Sequence, residues 1–312
     1  MRIALAQIAP VFLDRARTLD KVALAVDEAA RQGARLVAFG EALVPGYPIW
    51  IERTDGARFD SAEQKALHAR YLEEAVVCER DLGPVREAAR RGRIEVLLGV
   101  MERASDRGGH SLYCASLWID STGELVSVHR KLMPTYEERL SWATGDGAGL
   151  IVRALGPFQV GRLLCWENWM PLARAALSAA GEDLHVAHWP GSARLTSEIT
   201  RFAAREGRSF VVSASALLRA SDLPPDTPLR ERIVARADEV FQDGGSCVAG
   251  PDGRFVLEPV VGREAVLVVD LDPRAVLAER QNFDPAGHYS RPDVLRLAVD
   301  RRRQSVAEFR DG

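Results

Sequence analysis

Cysteine is sparse in this chain. Four stand in 312 residues, at Cys78, Cys114, Cys165 and Cys247, with no CxxC pair among them. So few thiols cannot staple a chain of this length, so a disulfide scaffold is excluded and a reducing, cytoplasmic setting is expected. Net charge is nearly absent as well. The 41 Lys and Arg against 44 Asp and Glu leave −3. No broad field draws the chain to nucleic acid or an anionic bilayer, and neither is expected as a partner. No apolar run approaches the roughly 18 residues of a membrane span. The opening MRIALAQIAP lacks a basic start and a small-residue cleavage site, so it reads as a strand rather than a leader. GxxxxGK[ST] and GxSxG are missing. The glycine-rich Gly145–Gly149 does not stand between a strand and a helix, so no dinucleotide site is expected.

What remains is ordinary globular composition, 47% hydrophobic and 27% charged. A chain of this length buries roughly 75% of its unfolded surface, enough for one large core. Strand and helix patterns alternate from the start. Met1–Ile8 reads as a strand. Leu19, Val22, Ala23, Val26, Ala29 and Ala30 recur at helical spacing and stop at Gly33. Strands are expected at 36–39, 94–101, 114–120, into His129, 158–165, 184–188, 210–213, 247–249, 254–257 and 265–270. Pro171 opens a helix closed by Gly181, and Thr200–Glu206 reads as another. This alternation predicts an α/β protein with helices over a mixed sheet. Ile51–Cys78 reads as a charged helical insertion, a pocket rim or subunit contact, and Leu223–Arg230 as a proline-rich loop. Arg90–Arg93 and Arg301–Arg303 are short basic runs that read as solvated surface.

Three strand ends carry chemistry. Cys165 closes the strand 158–165 and precedes Trp-Glu-Asn-Trp-Met-Pro and a helix. A thiol on a strand-to-helix turn is presented at a sheet edge near backbone N–H groups, which suits a nucleophile. The other three cysteines sit inside apolar patterns and read as structural. Glu41 follows LVAFG, and Lys131 follows LVSVHR. Ligands bind outside the carboxyl ends of strands in open α/β sheets, so an acid, a cation and a thiol converge there. His185 and His188 lie three apart on a strand and point to opposite faces, so they do not share a metal. His188 and Trp189, at the strand end beside Gly191, are expected near the pocket, with Tyr47 and Trp166.

GEALVPGYP, HRKLMPTYEERLSWATGDG and CWENWMPLAR resemble the three signature segments of the nitrilase branch of the carbon–nitrogen hydrolases. HVAHWPG, EGRSFVVSAS, GGSCVAGPDG and FDPAGHYSRPDV extend the resemblance from about residue 3 to about residue 296. The resemblance implies a four-layer αββα sandwich, one domain over 1–296 and a short tail over 297–312. It implies Glu41 as general base, Lys131 as charge stabiliser and proton donor, Cys165 as nucleophile and Glu138 as an orienting second glutamate. The implied reaction is hydrolysis of a small organic nitrile by water, with no metal or cofactor. A homodimer or larger homo-oligomer is implied too. An amidase or carbamoylase on the same scaffold uses the same glutamate, lysine and cysteine.

Overall fold

The structure, a computed structural model, describes residues 1–308 and 310. Two sheets form the middle of the protein. The first draws on β1 (Arg2–Gln7), β2 (Leu36–Phe39), β3 (Glu95–Arg103), β4 (Leu112–Ile119) and β5 (Leu125–Arg130). The second draws on β6 (Arg153–Leu155), β7 (Phe158–Leu164), β8 (Leu184–Trp189), β9 (Phe210–Ser215), β10 (Leu217–Arg219), β11 (Val240–Ala249) and β12 (Phe255–Val261). A last strand, β13 (Ala265–Asp270), returns to the first sheet. Strand order is β13-β1-β2-β3-β4-β5 in one sheet and β10-β11-β9-β8-β7-β6 in the other, with β12 on β11. Each sheet has three parallel strands at its heart, β1–β3 and β7–β9.

Alternation along the strands explains the layering. Ile3 and Leu5 of β1, with Leu36 and Ala38 of β2, face the other sheet and meet Phe158, Val160, Val186 and Val212. Their neighbours Ala4, Ala6, Val37 and Phe39 face outward onto helices. Those helices are α1 (Arg15–Arg31) and, later in the chain, a segment at Gly83–Gly92. Between them lie α2 (Trp50–Arg53), α3 (Ala62–Glu74) and α4 (Cys78–Asp81), so Gly83–Gly92 is α5. Val22 and Val26 of α1 and Val85 and Ala89 of α5 cover the first sheet. On the far side, α6 (Pro171–Ala179) and α7 (Ala193–Gly207) cover the second sheet through Leu177 on Leu163 and Ala204 on Val211. The result is the four-layer αββα sandwich. The short α8 (Arg230–Ile233) and α9 (Pro273–Glu279) follow, and Val276 of α9 joins the apolar core between the sheets. No helix among the described residues is long and apolar enough to cross a membrane.

Three expectations need correction. The helix expected over Thr200–Glu206 begins at Ala193, because Thr196, Ile199 and Thr200 continue its buried face. The insertion Ile51–Cys78 is helical, but it is not only a rim. Trp50, Ile51, Leu67 and Tyr71 join the same apolar cluster as Cys114, Trp142 and Leu164, and so lie under the strand ends. The run Arg301–Arg303 is not all solvated. Arg303 donates to the buried Asp146 at 2.9 Å, and the backbone N–H of Gln304 donates to the same carboxylate at 3.0 Å.

Candidate active site

The ends of β2, β5 and β7 lie at one rim of the sandwich, and each delivers a side chain there. β2 ends at Phe39, and Gly40 then carries the chain to Glu41. The Glu41 N–H donates to the Trp189 carbonyl at the end of β8, 2.9 Å away, so the two sheets meet at this rim. Gly40 has to be glycine, since a Cβ there would lie 2.5 Å from the Ala216 backbone nitrogen. Lys131 follows β5 directly, with its N–H on the Cys114 carbonyl at 2.8 Å. Cys165 follows β7 and opens a single 3₁₀ turn, Cys165–Trp169, with φ of +45°. Left-handed backbone at a non-glycine residue costs about 1–3 kcal/mol and persists only where its surroundings hold it. Ala42, beside Glu41, and Tyr136, two residues before Glu138, are also left-handed.

The side chains meet out of solvent. Lys131 Nζ donates to Glu41 Oε1 at 3.0 Å and to Glu138 Oε2 at 2.8 Å, and lies 5.2 Å over the Trp142 ring. Glu138 Oε2 also accepts from the Thr135 N–H at 2.6 Å, while its Oε1 accepts from Tyr47 Oη at 2.9 Å. Glu137, next in the chain, is only partly buried. Glu41 Oε2 is buried with no hydrogen-bond partner, an open acceptor inside the site. Cys165 packs with Ala187, Trp189 and Ile199, and is 4% exposed.

Burial and charge set the protonation states. Burial pushes Glu41 up to about 8; the Lys131 charge pulls against it and Glu138 adds to it. Burial opposes the charge of Lys131, but Glu41, Cys165 and Glu138 outweigh it and hold the ammonium above its ordinary range. Burial, then the Glu41 charge, pushes the Cys165 thiol well up, while Lys131 and the Trp166 N–H pull it down. The thiol is therefore protonated at rest and within electrostatic reach of all three charged groups. The acceptor this cluster offers for that proton is Glu41 Oε2, the open oxygen of a carboxylate whose basicity burial has raised.

The structure thus brings Glu41, Lys131, Glu138 and Cys165 together. Of the other expected residues, Tyr47 and Trp189 adjoin this group. Tyr47 is beside Glu138 and holds it. Trp189 packs against Cys165, with Nε1 on Ser213 Oγ at 3.2 Å. Trp166 is nearly half exposed, its ring near that of Trp169. His188 corrects the expectation of a pocket histidine. Its side chain lies between the sheets, where Nδ1 donates to the Phe39 carbonyl at 2.7 Å and Nε2 meets Ser116 Oγ at 2.9 Å. The physical reason is strand alternation, which sends residue 188 inward with Leu184 and Val186. His185 faces outward instead, between Glu182 Oε1 at 2.8 Å and Asn168 Oδ1 at 2.7 Å. Asn168 Nδ2 in turn donates to the Cys165 carbonyl at 2.8 Å. Sequence reasoning also missed Glu167. Its signal was a charged residue inside the CWEN segment, two positions after the thiol. Among the described residues no group of three or more His, Cys, Asp or Glu is arranged around a metal.

The sequence profile of carbon–nitrogen hydrolases matches residues 2–280. The chain belongs to the carbon–nitrogen hydrolase family. An aliphatic nitrilase of Rhodococcus rhodochrous is 34% identical over 318 residues, covering 96% of this chain and 83% of that protein. A nitrilase of Paraburkholderia phymatum is 37% identical over 316 residues, covering 97% and 87%. Among solved structures, an amidase of the nitrilase superfamily from Nesterenkonia superposes with a TM-score of 0.64 at 23% identity, over 90% of this chain and 94% of that one. At that identity the likeness shows the carbon–nitrogen hydrolase fold alone. The family resemblance and the sandwich expected from the sequence are both borne out.

Proposed function

We propose that this carbon–nitrogen hydrolase is a nitrilase, converting an organic nitrile and two waters to a carboxylic acid and ammonia. One observation carries the reading: a thiol on a strained turn beside a buried ammonium that two carboxylates bracket. The relatives named nitrilases select the substrate class. In this reading the Cys165 proton passes to Glu41 as sulfur bonds to the nitrile carbon. Glu41 hands that proton on to the nitrile nitrogen, directly or through Lys131, and a thioimidate forms. Water adds next, with Glu41 accepting its proton. Glu41 passes that proton to nitrogen, the hydroxyl proton follows as the C–N bond breaks, and ammonia leaves behind a thioester. A second water frees the acid and returns the proton to sulfur. If the C–S bond breaks first instead, the product is the amide. Lys131 stabilises the negative nitrogen as it develops, and Glu138 with Tyr47 fixes where that charge sits.

We also propose that the chain works as a homodimer or larger homo-oligomer in the cytoplasm. Leu172 and Phe202 on the outer helices are exposed, which supports an interface, and the four unpaired thiols support a reducing compartment. Light scattering on the purified chain tests the first point. Ammonia release from a panel of aliphatic and aromatic nitriles tests the activity. Cys165→Ala is expected to abolish it with the fold intact. Hydrolysis of amides alone would remove the nitrilase reading.

A further inference from the structure

Glu167 has no exposed surface, yet it is not free to react. Its Oε2 accepts from the Leu164 N–H at 2.7 Å and from His129 Nε2 at 2.9 Å. Its Oε1 accepts from the Leu132 N–H at 2.6 Å. Leu164 is the residue before Cys165, and Leu132 is the residue after Lys131. The first belongs to β7 of the second sheet, and the second follows β5 of the first sheet. Glu41 makes the contrast plain, because its Oε2 is open.

We propose that Glu167 is a positioning residue, a buried carboxylate that ties the turn carrying Cys165 to the strand end carrying Lys131 and so fixes the separation of sulfur and ammonium. The inference rests on the reading of Cys165 as nucleophile and Lys131 as its cation. A carboxylate suits this task. It presents acceptors in two directions, one oxygen to the Leu132 N–H and the other to the Leu164 N–H. Burial works against its charge, but His129 and the two backbone N–H groups outweigh burial and keep Glu167 below the ordinary carboxylate range. The bond to Leu164 also closes the turn in which Cys165 holds its left-handed φ. Both oxygens of Glu167 are already taken by donors of the protein, so it keeps no free acceptor for a substrate proton.

Glu167→Gln tests the tie. Glutamine keeps the size but offers one acceptor, so its NH₂ must face either Leu164 N–H or Leu132 N–H, donor against donor. Turnover is expected to fall about a hundredfold with KM changed less than about threefold, the range of losing a group felt mainly in the transition state. Alkylation of Cys165 by iodoacetamide, followed by peptide mass against pH, gives the deciding readout. If Glu167 positions, Lys131 drifts from sulfur in the variant and the alkylation profile moves to higher pH. If Glu167 acts only through its negative charge, removing that charge moves the profile to lower pH, and the proposal fails. Glu167→Asp keeps the charge but is one methylene too short for both links, so it is expected to share the loss. Its full activity would overturn the tie, as would Glu167→Gln within threefold of the parent. Should Glu167→Gln fail to fold, Glu167→Asp and its alkylation profile decide alone. The parent separates the two readings. Cys165 alkylating no faster than Cys114 in the parent sinks the nucleophile and this inference with it. A fast parent beside an unshifted variant sinks the tie alone.

Discussion

Lys131 Nζ donates to Glu41 Oε1 across 3.0 Å, and neither side chain touches solvent. An ammonium this deep is answered from the other side as well, by Glu138 at 2.8 Å. Removing one partner of a buried ion pair costs about 3–5 kcal/mol, since the other charge is left unanswered. The arrangement is therefore intolerant of changes in shape.

Lys131→Arg keeps the charge and loses the shape. A guanidinium is planar and larger than an ammonium, and its donors form a fixed fork. It cannot meet Glu41, Glu138 and the Trp142 face at once in the space Lys131 fills. Ammonia release from a nitrile substrate is expected to fall by about 10²–10³, the usual loss on removing an electrostatic stabiliser. Near-parent turnover would show that the ammonium's compactness does not matter.

The pH dependence follows from Glu41. It must be ionised to take the Cys165 proton, and burial raises it to about 8. The rate constant kcat/KM is then expected to climb with pH and level off above about 8. Stability moves the other way. Glu41 is raised in the folded chain from 4.5, so the folded state holds its proton more tightly than the unfolded one. That contribution is complete below 4.5 and is lost as pH rises to about 8. Glu41→Gln does not titrate, so its Tm relative to the parent should become more favourable over that window. A Tm difference flat in pH would contradict the raised carboxylate.

Strand ends were the legible part of this site. Glu41, Lys131 and Cys165 each follow an apolar run directly, and period-two patterns locate such runs well. Glu138 was separable from Glu137 only through the family motif, because its burial depends on Tyr47, 91 positions away. His188 was misplaced because a strand-end position says nothing about which face looks at a second sheet. Glu167 left no periodic signal at all. Two of its partners, the Leu132 and Leu164 N–H groups, are backbone donors that every sequence contains, and only the fold brings them and His129 to one carboxylate. Arg303 was read as solvated because its partner Asp146 lies 157 residues back.

Gly99 of β3 is expected to be as sensitive as the reacting residues. A Cβ there would lie 2.1 Å from the Gly40 carbonyl oxygen and 2.8 Å from Glu41 Cα. Both are backbone atoms and cannot swing aside. Gly99→Ala must push the end of β2 away, and Glu41 with it. Overpacking of this kind costs about 1–3 kcal/mol. Thermal melts should show that loss, and kcat should fall by more than tenfold, since Lys131 and Cys165 stay behind. A variant that melts lower but keeps full kcat would show that Glu41 tolerates displacement.

His188 governs behaviour in acid. It is enclosed between the sheets with Ser116 Oγ on one nitrogen and the Phe39 carbonyl on the other. Burial lowers it from 6.5 to about 3, so it stays neutral in the folded protein. The unfolded chain takes up a proton near 6.5, and the folded chain resists until about 3. Stability is therefore lost as pH falls through that interval. Arg162 adds to the effect, since its buried guanidinium donates to the same Ser116 hydroxyl at 3.1 Å and repels a second cation. His188→Gln offers a donor to Phe39 and does not titrate. It is expected to melt below the parent at pH 7 and to close that gap as pH drops toward 4. A gap constant from pH 7 to pH 4 would mean that His188 is not held neutral, and that the polar layer between the sheets carries no acid sensitivity of its own.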